Sequence, residues 1–130
     1  MFNFFQKYKI FFYLINLFLI FIYLFPGSIF GCILYNDCRI QPQLTSDFII
    51  SSNHIYAFLI LSVIGFFTYK DSKNLKVLVI YLISLSVILE GLHLVIPNRS
   101  FELSDLFGNV VGVVVIIIIN FFWNNEKFKS

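Results

Sequence analysis

The sequence predicts an all-α fold, a four-helix transmembrane bundle with both termini cytoplasmic. Three observations predict it. First, the 130 residues are 59% hydrophobic and only 12% charged, where soluble domains run near a quarter charged. Such a chain lacks the polar surface needed to clothe a globule in water. Second, four runs are mostly apolar over roughly the 20 residues that cross about 30 Å of hydrocarbon. Third, the runs show no period-2 alternation: residues 110–119 are almost continuously apolar. That argues against a barrel, and an open sheet would leave its edge groups unsatisfied in lipid. A chain this short holds one membrane domain, residues 1–130, with no room for a separate soluble one. Its net charge of +2 is small and scattered and does not point to nucleic acid.

The first predicted span covers residues 10–25 and extends to 30, without a charge. Lys7 and Lys9 ahead of it also suit a signal peptide, and Ile29-Phe30-Gly31-Cys32 faintly suggests a lipoprotein cleavage site. Phe30 fits poorly there and no Ala-x-Ala follows, so the segment is expected to remain as a span. Residues 26–53 form the longest polar stretch, either an ordered cap or a flexible connector. Cys32 and Cys38 lie in it. An oxidising compartment would permit a disulfide, and a free thiol at a helix end would pack as a small hydrophobe; both readings stay open.

The second span covers residues 48–69, the third 77–96 and the fourth 106–123. Lys7, Lys9, Lys70, Lys73, Lys76, Lys127 and Lys129 then fall at one end of the bundle, and Arg39 and Arg99 at the other. The excess of basic residues on the cytoplasmic side fixes the expected orientation. Loops 26–53 and 97–105 should face outward. Tyr23, Tyr56, Tyr69 and Trp123 lie near span ends, where interfacial aromatics are favoured.

Polar residues gather at the outer end. Glu90 lies about 9 Å inside the third span at 1.5 Å per residue. An acid at mid-helix costs roughly 2.5–3.5 kcal/mol on insertion scales, so it must face the bundle interior, find a partner or take up a proton. His93 shares its face at i+3. Pro97 ends the helix, and Arg99 can fold back to pair with Glu90. Ser100, Ser104 or Asp105 can cap the fourth helix. Asp105, Asn109 and Gly112 follow along one stripe, and Gly108 with Gly112 makes a G-x-x-x-G pair that lets another helix approach closely. His54 arrives at the same end from the second span.

Each residue has a structural explanation: an ion pair, a cap, packing glue, an interfacial histidine. Their convergence on one spot is what marks a candidate site, since ionisable groups inside membranes are usually functional. Glu90 with His93 or His54 could act as acid and base. Glu-x-x-His also occurs in di-metal bundles, but a second copy is missing, so no metal and no other cofactor is expected. Arg99 could hold an anionic group. No hydrolase triad and no Gly-rich phosphate loop is present.

Glu90-x-x-His93, Pro97-Asn98-Arg99 and Asp105-x-x-x-Asn109-x-x-Gly112 together resemble the VanZ-like family. Its members carry Glu-x-x-Gln near a helix end, an Arg in a short outer loop, and Asp-x-x-x-Asn-x-x-Gly opening the last helix. His54-Ile55-Tyr56-Ala57-Phe58-x-x-Leu61 likewise looks like the family's His-Phe-x-Ala-Tyr-x-x-Leu segment. The likeness runs from about Asn53 to Gly112. His93 stands where the family has Gln, and Ile50 and Ser51 replace its Asp-Lys pair, with Asp47 the nearest acid. The resemblance implies a small multi-pass protein of the bacterial cytoplasmic membrane. The name-giving member is associated with teicoplanin resistance, a property not carried over here.

The expected partners are the lipid bilayer and, at the outward pocket, a cell-envelope lipid or lipid-linked glycan. His54, Glu90, Arg99, Asp105 and Asn109 would bind it. Two other readings stand beside this one. In the first, the protein is an intramembrane enzyme with Glu90, His93 or His54 as the acid–base groups. In the second, it is a structural subunit with no ligand. No protein partner is indicated.

Overall fold

The structure, a computed structural model, describes the backbone of residues 2–70 and 72–129, and the side chains of residues 8–70 and 72–126. The side chains of Lys7, Lys127 and Lys129, part of the lysine asymmetry, lie outside the described residues. The order is α1 (Phe2–Leu24), α2 (Ile29–Tyr35), α3 (Ser52–Tyr69), α4 (Leu75–Leu92) and α5 (Leu103–Lys129), with no strand among the described residues. Three helices are long and apolar enough to cross a membrane: α3, α4 and the Leu103–Glu126 part of α5. Tyr8–Leu24 and Ile29–Tyr35 pass only as a pair, bent by 78°.

That bend corrects the expectation of one straight span to residue 30. Pro26 cannot continue the α1 hydrogen-bond ladder, and Gly27 takes φ 101°, open to glycine but strained for other residues. The chain then restarts at Ser28, whose Oγ accepts from Gly31 N at 3.0 Å, the usual N-cap arrangement. α2 closes on Asn36 in the left-handed region. Ser28 N donates to Cys38 O, and Cys32 and Cys38 are disulfide-bonded, which ties α2 to the following turn. Beside them exposed Arg39 pairs with half-buried Asp37 at 3.1 Å and holds its carboxyl below the usual range.

Residues 37–51 have no regular structure yet are pinned to the first turn of α3. Asn53 donates to Pro42 O at 2.7 Å and accepts from Leu44 N at 3.2 Å. Asp47 accepts from Ser52 N at 2.9 Å, capping α3 from outside. α3 therefore starts at Ser52 rather than 48. The long loop is an ordered cap, not a free connector.

The helices run alternately up and down. Arg99, in the α4–α5 turn, reaches the carbonyls that end α1. At the opposite end Lys9 lies over the Tyr69 ring, 5.9 Å from its centroid. The centre of the core includes Phe58, Leu61, Leu82, Leu89 and Val113, all 2% exposed or less. Large apolar residues also point outward: Phe18, Phe21, Phe67, Ile80 and Ile118 are 48–69% exposed. In water such a surface would drive association; in hydrocarbon it is the expected exterior.

α3 and α5 share the most extensive contact. A Cβ at Gly112 would sit 2.7 Å from Ile55 O and one at Gly108 2.7 Å from Ser51 O. The G-x-x-x-G pair thus seats α5 against α3, as small residues do where helices lack a hydrophobic drive to associate in lipid.

α4 ends at Leu92, four residues short of the expected 96. His93, Leu94 and Val95 instead make tight bonds back to Glu90, Gly91 and Leu92 carbonyls. Pro97 blocks the helical conformation of its predecessor, and the last turns tighten to satisfy the terminal carbonyls. Asn98 turns the chain at φ 60°. α5 then starts at Leu103, three residues earlier than expected, with Glu102 O accepting from Asp105 N and Leu106 N.

Candidate functional site

At the Arg99 end of the bundle, α1, α3, α4 and α5 converge on a buried polar network. Glu90 and Asn109 have no exposed surface and His93 has 2%. Glu90 Oε1 accepts from Glu102 N at 3.1 Å. Its other oxygen, Oε2, has no hydrogen-bond partner among the described residues and faces two imidazoles. His93 Nδ1 lies 3.2 Å away and His54 Nδ1 3.9 Å. His54 Nε2 lies 3.4 Å from Asp105 Oδ2.

The network assigns the ring protons. Asn109 Nδ2 donates to Ser86 O at 3.1 Å, which leaves Asn109 Oδ1 pointing at α3. That oxygen can only accept. It lies 2.6 Å from the Tyr23 hydroxyl, which donates to it, and 2.9 Å from His54 Nδ1. His54 therefore carries its proton on Nδ1, and in the neutral ring Nε2 presents a lone pair to Asp105. His93 Nε2 lies 2.9 Å from Tyr23 O, a carbonyl, so the same logic puts a proton there and a lone pair on Nδ1 towards Glu90. Each carboxylate thus meets an imidazole nitrogen that, in a neutral ring, has no proton to donate.

His54, Glu90, His93, Asp105 and Asn109 are brought together. Arg99 is beside them but not paired with Glu90, which corrects the expected ion pair. Its Nε donates to Phe25 O at 3.2 Å and one terminal nitrogen to Ile22 O at 3.0 Å. α1 ends in unsatisfied carbonyls, and the guanidinium, made of donors only, is their nearest partner. Burial draws the Arg99 guanidinium down from its usual value; the Tyr23, Glu90 and Asp105 side chains pull the other way. Asp105 sits in the first turn of α5, where its charge suits the helix dipole, and also faces His54. Ser104 contributes its carbonyl to Ser51 N at 3.2 Å.

Tyr23 is the group that sequence reasoning missed. It was legible only as an interfacial aromatic. In the structure it is buried, stacks on His93 with centroids 5.8 Å apart, and meets His54 edge-on at 5.2 Å. Only its position just before Pro26, at the outer end of α1, hinted at this. Asp47 caps α3 and stays out of the network.

No family model, curated protein or solved structure matches this chain. The site has to be interpreted from its own chemistry.

A cavity of about 470 Å³ opens beside the network, between α1, α2, α3 and the 36–51 cap. Its wall is mostly apolar, with a few polar groups at the loop end. Ile15, Phe18 and Ile60 line the part nearer the bundle centre. Phe30, Leu34 and Leu44 line the part nearer the loops together with Tyr23, Gln41, Asn53, His54 and Arg99.

Proposed function

We propose that this chain is a VanZ-like multi-pass protein of the bacterial cytoplasmic membrane that holds an anionic envelope lipid or lipid-linked glycan in the cavity between α1, α2 and α3. The mostly apolar wall, with Arg99, His54, Gln41 and Asn53 at its loop end, carries this reading. An acyl chain lies along Ile15, Phe18 and Ile60. The headgroup meets Arg99, His54, Gln41 and Asn53. The volume falls in the range of about 300–1,000 Å³ usual for small-molecule sites. The carbonyl contacts of Arg99 occupy two of its five N–H donors, which leaves the rest for a phosphate or carboxylate.

Lys70, Lys73 and Lys76 in the α3–α4 turn and Arg39 and Arg99 at the other end support an outward-facing site and cytoplasmic termini. On this reading α1 and α2 complete a fourth span, with α2 folded over at the interface. The disulfide fits an oxidising compartment on the same side.

The test is lipid retention. Protein purified in mild detergent is extracted and its lipids weighed by mass spectrometry against the bulk membrane. Wild type should be enriched in one anionic species. Arg99→Gln and the cavity-filling Ala57→Phe should both lose it while folding normally. Lipids matching the bulk membrane in wild type would end the proposal.

A further inference from the structure

We propose that His54, Glu90 and Asp105 form a mononuclear site for a divalent transition metal of the zinc class, bound through His54 Nε2 and one oxygen of each carboxylate. One ligand atom from each of the three lies within 4.8 Å of the others. Two ligands bound at about 2.1 Å with a tetrahedral angle sit roughly 3.4 Å apart. His54 Nε2 and Asp105 Oδ2 already stand at 3.4 Å.

The second, independent observation is Glu90. Its Oε2 is fully buried and has no hydrogen-bond partner among the described residues, and Glu90 offers an oxygen to the same three-residue cluster. A buried carboxylate oxygen left in this state is costly. The proton assignment sharpens the point. With His54 Nδ1–H committed to Asn109, the free lone pair on Nε2 faces an acidic oxygen. Two acceptors do not approach one another without a proton or a cation between them. A dication neutralises both carboxylates at once and gives all three converging lone pairs a partner.

The surrounding groups are those a metal site uses. A metal-bound histidine donates its other ring N–H to an acceptor that fixes its tautomer. Asn109 Oδ1 is that acceptor, itself held by Ser86 O and the Tyr23 hydroxyl. Glu90 is oriented through Oε1 by Glu102 N, and His93 Nδ1 lies 3.2 Å from its Oε2. One imidazole with two carboxylates suits a borderline cation rather than calcium, which takes six to eight oxygens. Three protein ligands leave a fourth position open, and His54, which also lines the lipid cavity, borders it. A second Glu-x-x-His, needed for a two-metal centre, is not needed for one metal. The site does not rest on the lipid proposal, because zinc binding is read whether or not a lipid is retained.

The experiment is a zinc titration of the full-length, chelator-stripped protein in detergent, against a chromophoric competitor. Wild type should take up one zinc per chain, and cobalt in its place should give the visible d–d bands of a low-coordinate site. His54→Gln and Asp105→Asn should each weaken zinc binding at least tenfold. Asn109→Ala, which removes the support of His54 but no ligand, should weaken it about 10–100-fold. Asp37→Asn, at the exposed cap, should leave it unchanged. Circular dichroism checks folding, and zinc should raise the melting temperature of wild type and Asp37→Asn more than that of His54→Gln or Asp105→Asn. Failure of wild type to hold zinc against the competitor overturns the proposal. So does equal binding by His54→Gln and Asp105→Asn, or a cobalt spectrum no different from the hydrated ion.

Discussion

Gly112→Ala probes the contact that seats the site. Its Cβ would meet Ile55 O at 2.7 Å, Leu59 N at 2.9 Å and Phe58 Cβ at 2.9 Å. All three are backbone or Cβ atoms of α3, so no side-chain rotamer relieves them. Ordinary contact begins at 3.4 Å, so α5 must back away from α3 by 0.5–0.7 Å. Overpacking of this kind costs about 1–3 kcal/mol. The same movement lengthens the 2.9 Å His54–Asn109 bond and the 3.4 Å His54–Asp105 contact, since each joins α3 to α5. Gly91→Ala is the matched control. It is also helical, but nothing lies within 4 Å of its Cβ. There alanine should stabilise by up to about 1 kcal/mol, as it relieves the entropy of a helical glycine. Thermal unfolding in detergent, followed by circular dichroism, reads both. The melting temperature should fall for Gly112→Ala and hold or rise for Gly91→Ala. Equal behaviour of the two variants would refute the close α3–α5 approach and the site geometry built on it.

Tyr23→Phe removes the hydroxyl that donates to Asn109 at 2.6 Å while keeping the ring that packs on His93. A loss of about 1 kcal/mol is expected, because Asn109 Oδ1 still accepts from His54; urea or thermal unfolding measures it. Cys32→Ser with Cys38→Ser opens a loop of sequence separation 6 and should cost about 2 kcal/mol by loop-closure entropy, read as a lower melting temperature. In wild type neither thiol should label before reduction. Ser100→Cys places a thiol in the exposed α4–α5 turn. It should react with an impermeant reagent in intact cells, and protection there would reverse the proposed orientation.

The order of apolar runs and the one-ended distribution of lysines are local properties, legible without a fold. So was the cluster itself. Glu90 and His93 are a helical turn apart, and Asp105, Asn109 and Gly112 lie on one stripe, so periodicity places them on common faces. Helix ends were less legible. The stop at Leu92 came from turns that Pro97 forced backward along the chain, and the break at Gly27 depends on the Ser28–Cys38 closure that follows it.

By itself, the sequence determined which segments are apolar enough to cross a membrane and which polar residues share an end of the bundle. Only the tertiary structure decided who pairs with whom. Tyr23 reaches Asn109 across 86 positions and His93 reaches Tyr23 O across 70, separations over which periodicity carries no information. Arg99 looked like a partner for Glu90, yet the unsatisfied carbonyls of α1 took it. Hydrogen bonds hold over a few tenths of an ångström. Such distances are set by how closely Gly108 and Gly112 let two helices meet, and therefore by packing rather than by sequence order.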